Sequence, residues 1–204
     1  MKTTGIIDYG MGNIGSVLNI LRKIGKTNGI VITEPEEISG VDHIILPGVG
    51  AFDKGIQSIN EKRLGEAIHD FARKDKPILG ICLGMQLLGN GSEEGREKGL
   101  ELIPFHCERF RLESPFKIPH MGWEYVSILD KKDPMVDGMI DEQRYYFVHS
   151  YHAVCDDSNT VLMSCDYGYD FAASVRKGYI YGVQFHPEKS HKYGIQLLRN
   201  FVNL

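Results

Sequence analysis

Residues 77–84 read Pro77-Ile78-Leu79-Gly80-Ile81-Cys82-Leu83-Gly84, a short apolar run that ends in a cysteine between two glycines. A continuous apolar run of this length, bounded by turn-forming residues, is typical of a strand buried on both faces of a parallel sheet. The residues that follow, 85–88, favour a helix. The sequence therefore predicts a strand that turns sharply into a helix, with Cys82 on the turn.

Upstream of this turn, strand and helix patterns alternate. Short apolar runs that end at turn residues predict strands at residues 5–8, 29–33 and 43–46. One helix is predicted from Asn13, and a second, after the third strand, carries apolar side chains at positions 64, 68 and 71. This alternation predicts an α/β fold with a mainly parallel, doubly wound sheet and flanking helices.

Downstream of about Arg109 the apolar segments become shorter and more aromatic. Residues 123–126, 145–148 and 180–185 predict further strands, some of them antiparallel, before a helix around Tyr193–Val202. We expect these strands to form an additional small antiparallel sheet. A chain of 204 residues suits one core, so we expect residues 1–204 to form a single domain.

Composition excludes several classes of function. The formal net charge of -4 leaves no basic surface for nucleic acid or anionic lipid. The sequence has no apolar run near the length of about 18 residues that a membrane-spanning helix needs, and its first residues lack a signal-peptide pattern. We therefore expect a cytoplasmic protein. The cysteines lie too far apart for a Cys-x-x-Cys metal motif, so we expect no metal and reduced thiols.

Cys82 has the setting of a nucleophile. At the start of a helix, backbone N–H groups and the helix dipole favour a thiolate, and the Leu83 amide can bind an oxyanion. The alternative is an inert buried cysteine. The later strand delivers His186-Pro187-Glu188, and a nucleophilic cysteine needs an imidazole base oriented by a third group. Cys82, His186 and Glu188 are therefore a candidate catalytic triad.

Two segments carry a family resemblance. Residues 80–86, Gly-Ile-Cys-Leu-Gly-Met-Gln, and residues 182–188, Gly-Val-Gln-Phe-His-Pro-Glu, resemble the two signatures of class I glutamine amidotransferases. Within that family the chain most resembles the glutaminase subunits of imidazole glycerol phosphate synthases, over nearly its whole length. Matching segments include residues 7–13, 46–52, 92–95, 119–123, 147–151 and 186–190.

The resemblance implies an activity and a partner. Glutamine would be hydrolysed to glutamate and ammonia through a thioester on Cys82, without a cofactor. The ammonia would pass to a (β/α)₈ cyclase subunit in a heterodimer for histidine biosynthesis. The implied residues are Leu83, Val49 and Gly50 for the oxyanion hole; Gly50, Gln86, Glu94 and the backbone of His149, Ser150 and Tyr151 for glutamine; and Asn13, Trp123 and Lys189 for the partner.

Other interpretations of the same residues stay open at this point. Gln86 could be a polar residue on an exposed helix face, Glu94 a loop charge, and Trp123 a core aromatic residue. Residues 103–110 lack the glycine usual after the proline, and Glu124 stands where asparagine is usual, which leaves room for a glutaminase that feeds a surface-sugar (LPS-type) amidotransferase. A non-catalytic subunit of the same fold is a further alternative.

The glycines near the N-terminus suggest a different activity. Gly10-Met11-Gly12-Asn13-Ile14-Gly15 follows a predicted strand and opens a helix, and Glu34 closes the next strand, as in dinucleotide-binding enzymes. A nicotinamide-dependent oxidoreductase has no need of Cys82 paired with His186, however. We therefore expect this segment to be the first loop of the amidotransferase family.

Overall fold

A computed structural model describes residues 1–140 and 142–204 of the chain. Within them the strands are β1 Lys2–Ile7, β2 Thr27–Ile32, β3 His43–Gly48, β4 Ile78–Cys82, β5 Gly91–Ser92, β6 Phe105–Arg109, β7 His120–Ile128, β8 Gln143–His149, β9 Tyr151–Cys155, β10 Val161–Asp166, β11 Asp170–Lys177 and β12 Ile180–Val183. The α-helices are α1 Ile14–Ile24, α2 Phe52–Glu61, α3 Leu64–Ala72, α4 Leu83–Leu87 and α5 His191–Asn203.

The strands join in one large mixed sheet with the order β2-β1-β3-β4-β12-β11-β10-β7-β8. The first five strands in this order run parallel, and the remaining four pair antiparallel. The short strands β5, β6 and β9 branch from β11. The predicted α/β fold is confirmed, and the antiparallel strands continue the parallel ones.

Each central strand contributes to two cores, one on each face of the sheet. Neighbouring residues point to opposite faces, so Ile6 and Ile45 belong to one core while Ile7 and Ile44 belong to the other. Helices α1 and α5 cover the first face, and α2, α3 and α4 cover the second. No helix in the described residues combines the length and the apolar character needed to cross a bilayer.

The helical segment after β3 differs from the prediction. One helix was expected there, but two are present, α2 and α3, separated by Lys62 and Arg63. Arg63 has a left-handed backbone with φ of 55°, which a continuous α-helix excludes. The apolar residues at positions 64, 68 and 71 all lie on α3 and are buried, as their spacing predicts.

The turn from β4 into α4 fits against β3 only because Gly80 on β4 and Gly84 on α4 have no side chain. A Cβ atom on Gly84 would lie 1.7 Å from the carbonyl oxygen of Leu46 on β3. A Cβ atom on Gly80 would lie 2.6 Å from the carbonyl oxygen of Gly84. The glycines on either side of Cys82 therefore allow the backbones of β3, β4 and α4 to pack more closely than any side chain would permit.

We expect Gly84→Ala to lower the free energy of unfolding by about 3 kcal/mol or more, because the new methyl group meets backbone that cannot rotate away. The matched control is Gly15→Ala in α1, where an added Cβ meets no atom within 4 Å and should stabilise the helix by about 0.5–1 kcal/mol. Urea denaturation followed by circular dichroism measures both variants. A Gly84→Ala protein as stable as the wild type would contradict this packing.

Candidate active site

Three neighbouring parallel strands deliver the predicted site residues to one edge of the sheet. β4 lies between β3 and β12, with Cys82 paired to Gly48 and Ile81 paired to Val183. The carboxyl ends of parallel strands are where α/β folds form their sites. A cavity of about 310 Å³ opens there. Its lining includes Val49, Gly50, Cys82, Leu83, Gln86, Glu94, His149, Ser150, Tyr151 and His186.

Cys82 sits on the turn in a strained conformation. Its φ of 54° and ψ of -112° are sparsely populated by residues with a side chain, and such strain costs about 1–3 kcal/mol. It is the N-cap residue of α4, as predicted, although this helix has only five residues. The Sγ atom lies 3.9 Å from the Val148 carbonyl oxygen and 3.8 Å from Nε2 of Gln184.

His186 and Glu188 form a buried pair beside this thiol. The Nδ1 atom of His186 lies 2.8 Å from Oε1 of Glu188, and both side chains are 2% exposed. Burial alone lowers the pKa of His186, but its interactions with Cys82 and Glu188 outweigh burial and raise this pKa to about 9. The opposite ring nitrogen, Nε2, has no hydrogen-bond partner among the described residues. The imidazole is therefore held by one nitrogen and free to react at the other.

The other three cysteines do not line the cavity, and the pKa of each is raised. Burial is the main cause that raises the pKa of Cys155 to about 11 and the pKa of Cys165 to about 12. Burial also raises the pKa of Cys107 far above its ordinary range. These three cysteines are protonated and unreactive at neutral pH. Cys82 is the thiol of the described chain that lines the cavity.

The loop after β3 contributes Val49 and Gly50 to the cavity lining. The N–H groups of Val49 and Gly50 make no backbone hydrogen bond within the part of the chain described. Gly50 has a φ of 117°, which favours glycine. A Cβ atom on Gly48 would lie 2.3 Å from the Tyr9 hydroxyl, so this loop also packs closely against the rest of the site. Together with Leu83 at the start of α4, these residues offer donors to a bound anion.

The predicted ligand-binding side chains are already partly engaged. Gln86 is 5% exposed, which excludes an exposed helix face. Its Nε2 atom donates to the Tyr151 carbonyl oxygen at 3.2 Å and to Oε1 of Gln184 at 3.0 Å. Glu94 accepts a hydrogen bond from the first N–H of α2, that of Phe52, at 2.9 Å. Glu94 therefore caps a helix as well as lining the cavity.

Two residues of the site were not assigned from the sequence. Gln184 is fully buried and bridges Gln86 and Cys82. A polar residue in the apolar run 180–185 was the available signal. Ser190 donates to the His186 carbonyl oxygen at 2.6 Å and accepts from the Tyr146 N–H at 3.0 Å. Its contacts join His186 to β8, and the local sequence carries no sign of them.

The predicted interface residues lie outside the cavity lining. Asn13 caps α1 by accepting a hydrogen bond from the Ser16 N–H. Trp123 is half-buried and stacks on His191, with 5.4 Å between the ring centroids. The Lys189 ammonium group lies 5.6 Å from the centre of the Tyr146 ring. These side chains are held by local contacts rather than by the core.

The glycine-rich segment, residues 10–15, has a structural explanation. A Cβ atom on Gly12 would lie 3.1 Å from the Pro47 carbonyl oxygen, so this loop packs closely on the end of β3. Glu34 precedes a short 3₁₀ helix, Pro35–Gly40, and caps it. Glu34, at the position where a dinucleotide-binding enzyme has its ribose-binding acid, is therefore the N-cap residue of a helix.

Comparison with known proteins gives a consistent family. The model of “Glutamine amidotransferase class-I” matches residues 5–204. The chain is similar to imidazole glycerol phosphate synthase subunit HisH 2 of Methanococcus maripaludis, with 50% identity over 198 residues and 97% of each chain covered. It is also similar to subunit HisH 2 of Pseudomonas aeruginosa, with 46% identity over 200 residues and 98% of each chain covered.

Solved structures agree on the fold. PurLQS from Thermotoga maritima has a TM-score of 0.77 and 18% identity, and the match covers 100% of this chain and 99% of that one. A glutamine amidotransferase from the same organism has a TM-score of 0.72 and 16% identity, with 99% of this chain and 96% of that one covered. At these identities the likeness concerns the fold alone.

We expect Glu188→Gln to lower the pKa of His186 from about 9 toward its ordinary value of 6.5, because the carboxylate stabilises the protonated ring. Protonated His186 stabilises the folded state fully below pH 6.5, and this contribution is lost as the pH rises through about 9. In the variant the loss should occur at lower pH. NMR titration of the ring nitrogens measures the pKa directly.

The control for this titration is Glu94→Gln, which changes a carboxylate of the same cavity that makes no contact with His186. It should leave the pKa of His186 unchanged. An unchanged pKa in Glu188→Gln would show that the carboxylate does not stabilise the imidazolium.

Proposed function

This chain belongs to the class I glutamine amidotransferase family, and we propose that Cys82, His186 and Glu188 are its catalytic triad for the hydrolysis of L-glutamine. It is the glutaminase subunit of an imidazole glycerol phosphate synthase, in histidine biosynthesis. The observation that carries the triad is the buried His186–Glu188 pair beside a cysteine on a strained turn. We also propose that residues 1–204 act as one domain in the cytoplasm.

The first half of the reaction forms a thioester. The Cys82 sulfur attacks the side-chain carbonyl carbon of glutamine, and the carbonyl oxygen becomes an oxyanion. The N–H of Leu83 and one from Val49 or Gly50 donate to that oxygen; one such donor is worth about 2.7–4 kcal/mol of barrier. Protonated His186 then gives its Nε2 proton to the nitrogen that leaves as ammonia. Glu188 holds the ring and stabilises its charge throughout.

The second half releases glutamate. His186, now neutral, takes a proton from a water molecule through the same Nε2 atom. The hydroxide attacks the thioester carbonyl carbon, and a second oxyanion forms in the same donor set. Its collapse breaks the carbon–sulfur bond and frees glutamate, and Cys82 and the protonated His186 are restored. The free Nε2 atom and the occupied Nδ1 atom of His186 suit this exchange.

The α-amino and α-carboxylate groups of glutamine bind away from the sulfur. Among the described residues no donor is bonded to Oε1 of Gln86, so this oxygen is available to accept from an ammonium group. The Glu94 carboxylate supplies negative charge on the same wall. The backbone of residues 149–151 and the N–H of Gly50 complete the site.

The ammonia product explains why a partner is needed. Ammonia released into neutral water is mostly protonated and no longer a nucleophile, so it must pass directly to an acceptor site. We propose that a (β/α)₈ cyclase subunit docks on the outward face of β7 and β8. There Met121 pairs with Val148 and Trp123 pairs with Tyr146. Asn13 and Lys189 belong to the same proposed interface.

The triad predicts that Cys82→Ala abolishes glutamine hydrolysis. In the complex with the cyclase subunit, we expect glutamate formation to fall by at least about 10³-fold, because no other group can form the thioester. The matched control is Cys155→Ala, which removes a thiol outside the cavity and should keep wild-type activity. Glutamate formation is measured by a coupled dehydrogenase assay. Residual activity near that of the wild type in Cys82→Ala would overturn the triad.

The interface predicts that Met121→Asp weakens the complex. Met121 is 61% exposed on β7, and Leu129, 56% exposed just beyond the same strand, is the matched control. Burying a new charge should raise the Kd for the cyclase subunit by about 100-fold in Met121→Asp and leave it unchanged in Leu129→Asp. Isothermal titration calorimetry measures both.

A glutaminase assay with each candidate partner tests the choice of partner. Stimulation of the glutaminase by a sugar-modifying synthase, and not by the cyclase, would overturn that choice.

A further inference from the structure

A chain of hydrogen bonds leads away from Cys82 into the protein. Gln184 contacts the Cys82 sulfur at 3.8 Å through Nε2 and accepts at Oε1 from Gln86 at 3.0 Å. Gln86 also donates to the Tyr151 carbonyl oxygen at 3.2 Å. That same oxygen lies 2.8 Å from Nδ1 of His149. The position of the Gln86 amide is therefore tied to a carbonyl that His149 holds.

The chemistry of these contacts fixes the proton positions. A carbonyl oxygen only accepts, so Nδ1 of His149 must carry the proton. Burial is the main cause that lowers the pKa of His149 to about 3, so the ring is neutral and its Nε2 atom is an acceptor. Nδ1 of His120 lies 3.0 Å from that acceptor and must be the donor. Both nitrogens of His149 are thus occupied by protein.

His120 is held in place from outside the cavity. Its ring is fully buried and lies between Phe147, at 5.0 Å, and Tyr167, at 3.9 Å, with 25° between the planes in each case. The Tyr167 hydroxyl donates to the Lys117 carbonyl oxygen at 3.0 Å. The orientation of His120 therefore comes from β8 and from the turn that joins β10 to β11.

One ring nitrogen of His120 has no hydrogen-bond partner, which indicates that the ring is present for its other nitrogen. Its Nε2 atom is buried and has no partner among the described residues. A buried polar atom without a partner destabilises the fold, and a hydrocarbon ring would not carry that atom. What a hydrocarbon ring cannot supply is the proton that His120 donates to His149.

We propose that His120 is a positioning residue for glutamine: by donating to His149 it fixes the Tyr151 carbonyl and the Gln86 amide that together shape the binding wall. The inference rests on the proposed function of the cavity. His120 itself does not line the cavity. Its effect reaches the substrate through His149, the Tyr151 carbonyl oxygen and Gln86, on the wall where we propose that the α-groups bind.

Two variants at this position separate positioning from simple packing. His120→Phe keeps the stacked ring and removes the donor. His120→Asn keeps a donor near the position of Nδ1 and removes the ring. With the cyclase subunit bound, we expect His120→Phe to raise KM for glutamine by about 10-fold, because it removes one hydrogen bond that orders a binding group. We expect kcat of this variant to stay within about 3-fold of the wild type. We expect His120→Asn to keep KM within about 3-fold of the wild type.

We expect the ranking of the two variants by Tm to differ from their ranking by KM. His120→Phe removes the unpartnered Nε2 atom of His120 but leaves Nε2 of His149 without its donor, so its Tm should stay close to that of the wild type. His120→Asn removes the stacked ring and should have a lower Tm. If His120 served only the packing, His120→Asn would be the poorer enzyme and His120→Phe would bind glutamine normally, and that result would overturn the proposal. If the wild-type complex itself released no glutamate, the proposed function would fail instead.

Discussion

The backbone of Gly84 lies so close to the carbonyl oxygen of Leu46 that no side chain fits between them. This contact brings the start of α4 against the end of β3. Cys82 must then turn at a positive φ to join β4 to α4. Cys82 and the loop after β3 consequently line one cavity, and His186, which follows the neighbouring strand β12, lines it as well. The geometry of the site depends on the packing of backbone more than on the side chains that act in it.

Burial has opposite outcomes at different histidines of this protein. It lowers the pKa of His43 and of His120 to about 4, because neither ring has a carboxylate bonded to it. His186 is equally buried, yet its pKa is raised to about 9, since Glu188 and Cys82 outweigh burial. A neutral His120 suits a ring that donates a single proton to a fixed neighbour. A protonated His186 suits a ring that gives a proton to a leaving group.

Much of the site could be predicted because its signals are local. The glycines around Cys82 and the pair His186-Pro187-Glu188 follow directly on apolar strands, and parallel strands place their carboxyl ends at one edge. The break at Arg63 was missed, since the predicted helix rested on apolar residues 64, 68 and 71, which all lie on the C-terminal side of the break. The contacts of His120 depend on the pairing of β7 with β8 and on Tyr167, which lies 47 positions further along the chain. No local pattern encodes that register.

The proposed mechanism places a thioester on Cys82 between glutamine and glutamate. Hydroxylamine intercepts thioesters, so the complex with the cyclase subunit should be assayed with glutamine at rising hydroxylamine concentrations. We expect γ-glutamyl hydroxamate to replace glutamate as product in proportion to the hydroxylamine concentration, because both products come from one thioester intermediate. Unchanged glutamate formation without any hydroxamate, in an enzyme that turns over at the normal rate, would contradict the covalent mechanism.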